Sequence, residues 1–286
     1  MTPSPAPHRI LVFIPAYRCA AQIVRVLDQF DERAQRAIDT VMVVDNRSPD
    51  GTLEAAVARG RARFEHCNFI AWRNDDNYGL GGSHKAALRY AIEQGFDSLV
   101  VLHGDDQTDF ARLLPLIERG EHLQADCLMG ARFMPGSELQ GYSLLRTVGN
   151  RVYNSLFALA ARRRVYDLGS GLNMYRLAAL RDFYYRGFPD DLTFNYVMLL
   201  ASFQRGQQVR FFPINWREED QVSNVRLFSQ AFKVLGLLAR YVMGTAAFLR
   251  RDMRTHPRSV YSGTIVHRQE ATPAARRQRP ASMPLP

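Results

Sequence analysis

Residues Leu99–Leu102 form a short apolar run that passes at once into His103-Gly104-Asp105-Asp106. An apolar run of this length reads as a strand buried on both faces, which demands a sheet covered on both sides. In open α/β sheets, ligands bind at the carboxyl ends of the strands, where these acids would stand. Acids so placed commonly hold a divalent cation that neutralises phosphate. Taken alone, the segment is equally consistent with a turn carrying solvated acids.

The rest of the first half repeats the pattern. Arg9–Pro15 is an apolar run stopped by proline, and Thr40–Asp45 is a second run ending in an acid. Phe69–Trp72 is a weaker third run, Ser98–His103 the fourth and Asp126–Gly130 the fifth. Between them, Ala21–Phe30, Thr52–Arg63, Gly82–Gly95 and Phe110–Arg119 have helical spacing. Such alternation predicts an α/β fold, a mainly parallel central sheet flanked by helices. Later, Leu144–Arg163 and Leu192–Arg205 read as helices. Val209–Trp216 reads as a strand that Pro213 confines to an edge or bend.

Composition narrows the class. With 47% hydrophobic and 23% charged residues, the chain is an ordinary globular protein. Cys19, Cys67 and Cys127 are far apart and odd in number, so neither a disulfide framework nor a zinc site is implied. The N-terminus lacks an apolar leader, and the expected location is cytoplasmic. The net charge of +9 is concentrated late: residues 254–286 hold six arginines against one acid. That stretch, rich in Pro, Ala and Gln, is expected to be disordered. Leu227–Leu249 is apolar but interrupted by Lys233 and Arg240, which suits an amphipathic helix rather than a spanning one. No basic stripe interleaved with aromatics points to nucleic acid.

In a parallel sheet, the loops after strands one, two and four emerge on one side. They carry Pro15-Ala16-Tyr17, Asp45–Thr52 and Asp105-Asp106-Gln107. Asp45 could accept a hydrogen bond from a nucleoside. Gly79, Gly81 and Gly82 would let a helix start approach phosphate closely, and Lys85 would add a charge. Asp50-Gly51-Thr52 reads equally well as a turn and helix cap. The glycines fit neither a dinucleotide fingerprint nor a Walker loop. Their combination describes a nucleoside-diphosphate site with a cation.

In order, the segments Ile14–Tyr17, Val43–Thr52, Asn77–Gly81, His103–Gln107, Gly130–Arg132 and Asp167–Gly171 resemble family-2 glycosyltransferases of the GT-A fold. The layout is nearest the dolichol-phosphate mannose synthase-like, polyprenyl-phosphate branch. The resemblance covers about residues 9–225. It implies that Pro15, Tyr17 and Asp45 line the nucleoside pocket, with Asn77, Gly79, Lys85 and Asp106 on the donor. Asp105 and Gln107, with His103 where the family carries its first acid, would hold Mn²⁺ or Mg²⁺. Arg132 and the Asp167 turn would border the sugar or acceptor phosphate. The branch's basic acceptor motif is altered here, with Asn224 in place of a lysine and Arg226 nearby.

The expected organisation is a disordered N-terminus at 1–8, the GT-A domain at 9–225, an amphipathic helix at 226–250 and a basic disordered tail at 251–286. The expected activity is inverting transfer from a nucleotide-diphosphate sugar to polyprenyl phosphate, with peripheral contact to an anionic membrane. A glycan hydroxyl acceptor would need a general base, for which Asp190 and Asp191 are the candidates. Either could instead cap the helix that follows. A non-catalytic nucleotide-sugar binder with a decayed metal site, or a nucleotidyltransferase, are the competing classes.

Overall fold

The computed structural model describes residues 8–220 and 227–273. The chain runs β1 (Ile10–Ala16), α1 (Ala20–Asp28), α2 (Glu32–Ala37), β2 (Thr40–Asp45), α3 (Thr52–Arg63) and β3 (Asn68–Asn74). It continues α4 (Gly79–Glu93), β4 (Ser98–Leu102), α5 (Leu114–Glu118), β5 (Cys127–Ala131), β6 (Leu139–Gln140), α6 (Leu144–Ala161) and β7 (Leu172–Arg176). Last come α7 (Phe194–Gln204), β8 (Val209–Pro213), β9 (Trp216–Arg217), α8 (Leu227–Met243), α9 (Thr245–Arg250) and β10 (Gly263–Gln269).

Eight strands form one sheet in the order β10-β3-β2-β1-β4-β7-β5-β8. Strands β3, β2, β1 and β4 are parallel, so their carboxyl ends share one edge. β7 is antiparallel to both β4 and β5, and β10 is antiparallel to β3. A two-residue parallel pairing of β6 with β9 lies apart from this sheet.

Successive residues of a strand point to opposite faces, and here each face has its own core. Val12, Ile14, Val43 and Val100 pack with Ile23, Val26 and Leu27 of α1 and Leu53 of α3. Leu11, Phe13, Val44 and Val101 pack with Ala87 and Leu88 of α4, Val197 of α7 and Leu237 of α8. Apolar residues at every position of β1 are therefore required, as is usual for strands covered on both sides.

Two expectations are corrected. The basic tail expected at 251–286 instead contains β10, paired with β3 from Gly263–Asn74 to Gln269–Phe69. Gly263 lies against Trp72, where a Cβ would collide with the indole. The β-branched stretch Thr264-Ile265-Val266 is a strand former hidden in a polar, arginine-rich composition. Exposed Arg268 suits its position at the sheet edge. Residues 274–286, with Arg276, Arg277 and Arg279, lie outside the described residues, as do residues 1–7. The helix expected over 226–250 is broken at Gly244 into α8 and α9. Among the described residues, no helix is long and apolar enough to cross a membrane.

Candidate functional site

The parallel strands bring their terminal residues side by side. Ala16 is in register with Asp45, and Asp45 with Arg73. Asp45 is fully buried. Its Oδ1 accepts the Ser48 N–H at 3.1 Å, while Oδ2 has no hydrogen-bond partner and faces Arg73 Nε at 3.5 Å. A buried carboxylate oxygen with a spare lone pair suits an incoming N–H or hydroxyl donor. Tyr17 stands exposed beside it, with the Arg18 guanidinium 5.3 Å from its ring. The Arg18 N–H donates to Ser48 Oγ at 3.2 Å, tying the loop after β1 to the loop after β2. Pro15 anchors the next loop, its carbonyl accepting the Gly104 N–H at 3.1 Å.

His103 leaves β4 with its N–H on the Gly171 carbonyl at 2.9 Å. A Cβ on Gly171 would sit 3.2 Å from the His103 side chain, so that glycine leaves room for the imidazole. His103 Nε2 is buried without a hydrogen-bond partner. Burial pushes the His103 pKa down to about 4, leaving a neutral ring able to ligate. Burial pushes Asp105 up to about 6, against the pull of a Gln107 N–H. The Gln107 carbonyl accepts the Arg217 N–H at 3.0 Å, fixing this loop to β9.

An orphaned imidazole nitrogen and a desolvated carboxylate, separated by one residue, are of the chemical types that a divalent cation would use. Among the described residues, no group of three or more His, Cys, Asp or Glu forms a complete cage. None is needed where substrate phosphates complete the shell, as is common for such sites.

The structure gives Asp106 a different task from the donor contact expected of it. It is buried, and accepts Arg25 Nε at 2.7 Å, Gln29 Nε2 at 3.1 Å and Arg217 Nη2 at 2.5 Å. With a φ of 59°, its backbone is left-handed, which turns it away from Asp105 and onto α1 and β9. Asp106 is a structural hub.

The start of α4 is corrected in the same way. Amides of Gly81 and Gly82 donate to the Asp190 carbonyl at 2.8 and 3.3 Å, where phosphate was expected. Asn77 Oδ1 accepts the Gly79 N–H at 3.1 Å and Asn46 Nδ2 at 2.7 Å, tying the start of the helix to the loop after β2. Gly79, with a φ of +69°, has the Asp190 carbonyl where a Cβ would be. Lys85 is buried and donates to the Phe188 carbonyl at 2.5 Å and to Asp190 Oδ1 at 2.6 Å. These residues seat the loop before α7 rather than face the donor.

That loop separates the two candidate bases. Asp190 Oδ1 also accepts the Tyr261 hydroxyl at 2.7 Å, so that oxygen is shared between Lys85 and Tyr261. Asp191 has a 39% exposed side chain. Its Oδ1 accepts the Thr193 N–H and hydroxyl at 2.8 and 2.6 Å, and Lys233 of α8 pairs with Oδ2. Burial alone would raise the Asp191 pKa, but the Lys233 and Thr193 hydrogen bonds outweigh it and hold the group below its ordinary value.

Arg132 and Asp167 answer each other by a two-pronged contact, Nε to Oδ2 at 2.7 Å and Nη2 to Oδ1 at 2.9 Å. Rings of Phe133, Tyr142 and Trp216 surround the guanidinium at 4.6–5.8 Å from its carbon. The fork is thus filled from within, and its charge acts on His103 and Asp105 through space. Residues 221–226, with Asn224 and Arg226, lie outside the described residues.

Sequence reasoning missed Arg73, Lys233 and Tyr261. Arg73 had a signal, since it follows the third apolar run, Phe69–Trp72, as Asp45 follows the second. Lys233 had one only as an interruption of an apolar helix, and Tyr261 had none.

The description Glycosyl transferase family 2 matches residues 11–184. The chain belongs to this family. The match spans every strand-end residue described above from Pro15 to Asp167. Within glycosyl transferase family 2, the chain is 25% identical over 176 residues to the polyprenol monophosphomannose synthase of Mycolicibacterium smegmatis. That alignment covers 60% of this chain and 63% of the relative, just under two thirds of its length. The undecaprenyl-phosphate mannosyltransferase of Micrococcus luteus is 27% identical over 173 residues, covering 60% and 68%. Among solved structures, the Mycobacterium tuberculosis glucosyl-3-phosphoglycerate synthase with Mn²⁺, UDP and phosphoglyceric acid superimposes with a TM-score of 0.53. Its identity is 15%, over 93% of this chain and 88% of that one, a likeness of fold.

Proposed function

We propose that this protein is an inverting glycosyltransferase that moves a sugar from a nucleoside-diphosphate sugar to polyprenyl phosphate. One observation carries the reading: a family-2 chain sets Asp45, with an unsatisfied carboxylate oxygen, on the same sheet edge as His103 and Asp105. Asp45 and Tyr17 would hold the nucleoside. His103 and Asp105, with Gln107, would hold Mn²⁺ or Mg²⁺, whose charge stabilises the departing diphosphate. An acceptor oxygen attacks the anomeric carbon from the opposite side. The bond to the β-phosphate breaks, and its electron pair leaves with the nucleoside diphosphate.

A phosphate acceptor suits the acids of this site. It is already anionic and needs no base, and Asp191, paired with Lys233 and held ionised, is a weak one. The names of both relatives, a polyprenol and an undecaprenyl-phosphate enzyme, support the same class. The surface supports a lipid too. Leu145 and Leu159 of α6 are 79% and 78% exposed, Val148 and Val152 between them 52% each, and Met243 of α8 78%. Exposed Arg151, Arg162, Arg163, Arg164 and Arg240 flank these apolar residues. Apolar residues rimmed by arginine suit peripheral binding to an anionic bilayer, here at the cytoplasmic face.

A glycan hydroxyl acceptor is the second reading, favoured by the exposure of Asp191 beside its anchored neighbour. The test is transfer from UDP-, GDP- and dTDP-sugars with Mn²⁺, Mg²⁺ or EDTA, with and without polyprenyl phosphate. Metal-dependent transfer to the lipid is expected. Transfer to hydroxyl acceptors alone would favour the second reading. Donor binding without turnover in any condition would leave a decayed site.

A further inference from the structure

The segment between α9 and β10 touches the acidic loop at both of its ends. The Met253 N–H donates to the Gly187 carbonyl at 2.7 Å, and the Tyr261 hydroxyl donates to Asp190 Oδ1 at 2.7 Å. Tyr261 is 7% exposed and meets Tyr78 edge-on, with ring centres 5.3 Å apart. Gly82 makes room for it, since a Cβ there would stand 3.1 Å from the Tyr261 ring. Nearby, Arg258 pairs with Asp76 at 2.6 Å and lies 5.0 Å from the Tyr78 ring. This segment is therefore built into the body, and β10 anchors its far end in the sheet.

We infer that residues 251–263 form a positioning arm, in which Tyr261 sets Asp190 and, through it, the placement of Asp191. Asp190 is held by side chain and main chain together: Lys85 and Tyr261 meet Oδ1, and Gly81 and Gly82 meet its carbonyl. With Asp190 pinned, the direction in which the next residue presents its carboxylate is set by the backbone. Lys233 then ties that carboxylate to α8, so the arm also registers α8 against the site. His84 shows how near this is to the strand ends, packing 5.1 Å from Phe194 of α7 and 6.4 Å from His103. Tyr261 is a positioning residue, and it reaches the chemistry only through Asp190. The functional half of the inference rests on the hydroxyl-acceptor reading of the transferase, in which Asp191 is the base.

The experiment compares full-length Tyr261→Phe with the parent protein and with Arg268→Gln, a change in β10 that contacts Tyr90 instead. Amide hydrogen exchange is followed over residues 187–193, together with kcat and KM for whichever donor is turned over. In Tyr261→Phe, exchange in 187–193 rises at least about threefold while β1 and β4 are unchanged. The kcat falls about tenfold with donor KM unchanged, as expected for misplacement rather than lost binding. Arg268→Gln changes neither. Unaltered exchange in 187–193 overturns the arm whatever the activity, and faster exchange with unaltered kcat overturns its positioning role. If Tyr261→Phe fails to fold, Met253→Pro, which removes the N–H on the Gly187 carbonyl together with the packing of the Met253 side chain, takes its place with the same readouts. If no donor is turned over, the transferase reading fails, while the exchange result still decides the structural half.

Discussion

Lys85 Nζ lies 2.6 Å from Asp190 Oδ1, so the buried cation of α4 meets a carboxylate 105 residues further along the chain. Burial lowers the Lys85 pKa, and the hydrogen bond that Lys85 donates to Asp190 works against that shift. A buried pair of this kind is worth little against an apolar replacement, but removing one partner strands the other charge.

Lys85→Met alone is expected to destabilise the fold by about 3 kcal/mol, because Asp190 keeps only the Tyr261 hydroxyl. Lys85→Met with Asp190→Leu should recover at least half of that loss. Urea unfolding of the two single variants and the double variant measures the coupling.

Neighbouring acids should separate cleanly. Asp105→Asn is expected to reduce metal-dependent transfer by about 10²-fold or more without lowering the melting temperature, since it removes a desolvated charge. Asp106→Asn breaks the links to Arg25 and Arg217 and should cost about 2 kcal/mol, reduced because Arg25 is partly exposed. Its folded fraction should still bind donor. Thermal melts beside transfer assays test both.

Gly81→Ala would put a methyl group into the Pro189 carbonyl and 2.8 Å from Phe194 Cβ. Overpacking of this kind is expected to cost about 2 kcal/mol and to loosen residues 187–193. Calorimetry with hydrogen exchange reads both effects.

Acid should unfold the protein partly through His122. Burial lowers its pKa to about 4 from 6.5, so the unfolded chain binds a proton that the native state refuses. The stability from this residue is full above about pH 6.5 and is lost as pH falls toward 4. At pH 5 the loss is about 2 kcal/mol, and His122→Phe should remove it. Unfolding free energies at pH 7 and pH 5 give the difference.

Leu145→Asp with Leu159→Asp should lower sedimentation with anionic vesicles severalfold at low salt, leaving the melting temperature unchanged, because both side chains are exposed. Deleting 250–286 would not test the arginine tail cleanly, since it removes β10 as well. Deleting 274–286 avoids that.

The layered α/β fold was legible because it rests on local periodicity. Buried strands such as Thr40–Asp45 are continuous apolar runs, and a strand-end acid is visible one residue after the run stops. Asp45, His103 and Asp105 could be placed on a common edge from that pattern alone, given parallel strands. The antiparallel β7 was not legible, because Leu172–Arg176 carries polar Asn173 and follows a glycine-rich turn. Nor was β10, whose pairing partner lies nearly 200 residues earlier and whose composition is that of a solvated tail.

The pattern along the chain was enough to order the first five strands, to point to the family, and to say which chemical groups reach the sheet edge. Which partners those groups meet came only with the folded chain. Asp105 and Asp106 are adjacent and alike, yet burial pushes the first up to about 6 while the second accepts from Arg25, Gln29 and Arg217. Asp190 and Asp191 divide in the same way, through Lys85 and Tyr261 on one side and Lys233 on the other. The reason is physical: hydrophobic periodicity is written in neighbours along the chain, whereas a polar group's role depends on its partner. In this fold those partners arrive from α1, α4, α8 and the C-terminal arm, at separations that no local pattern encodes.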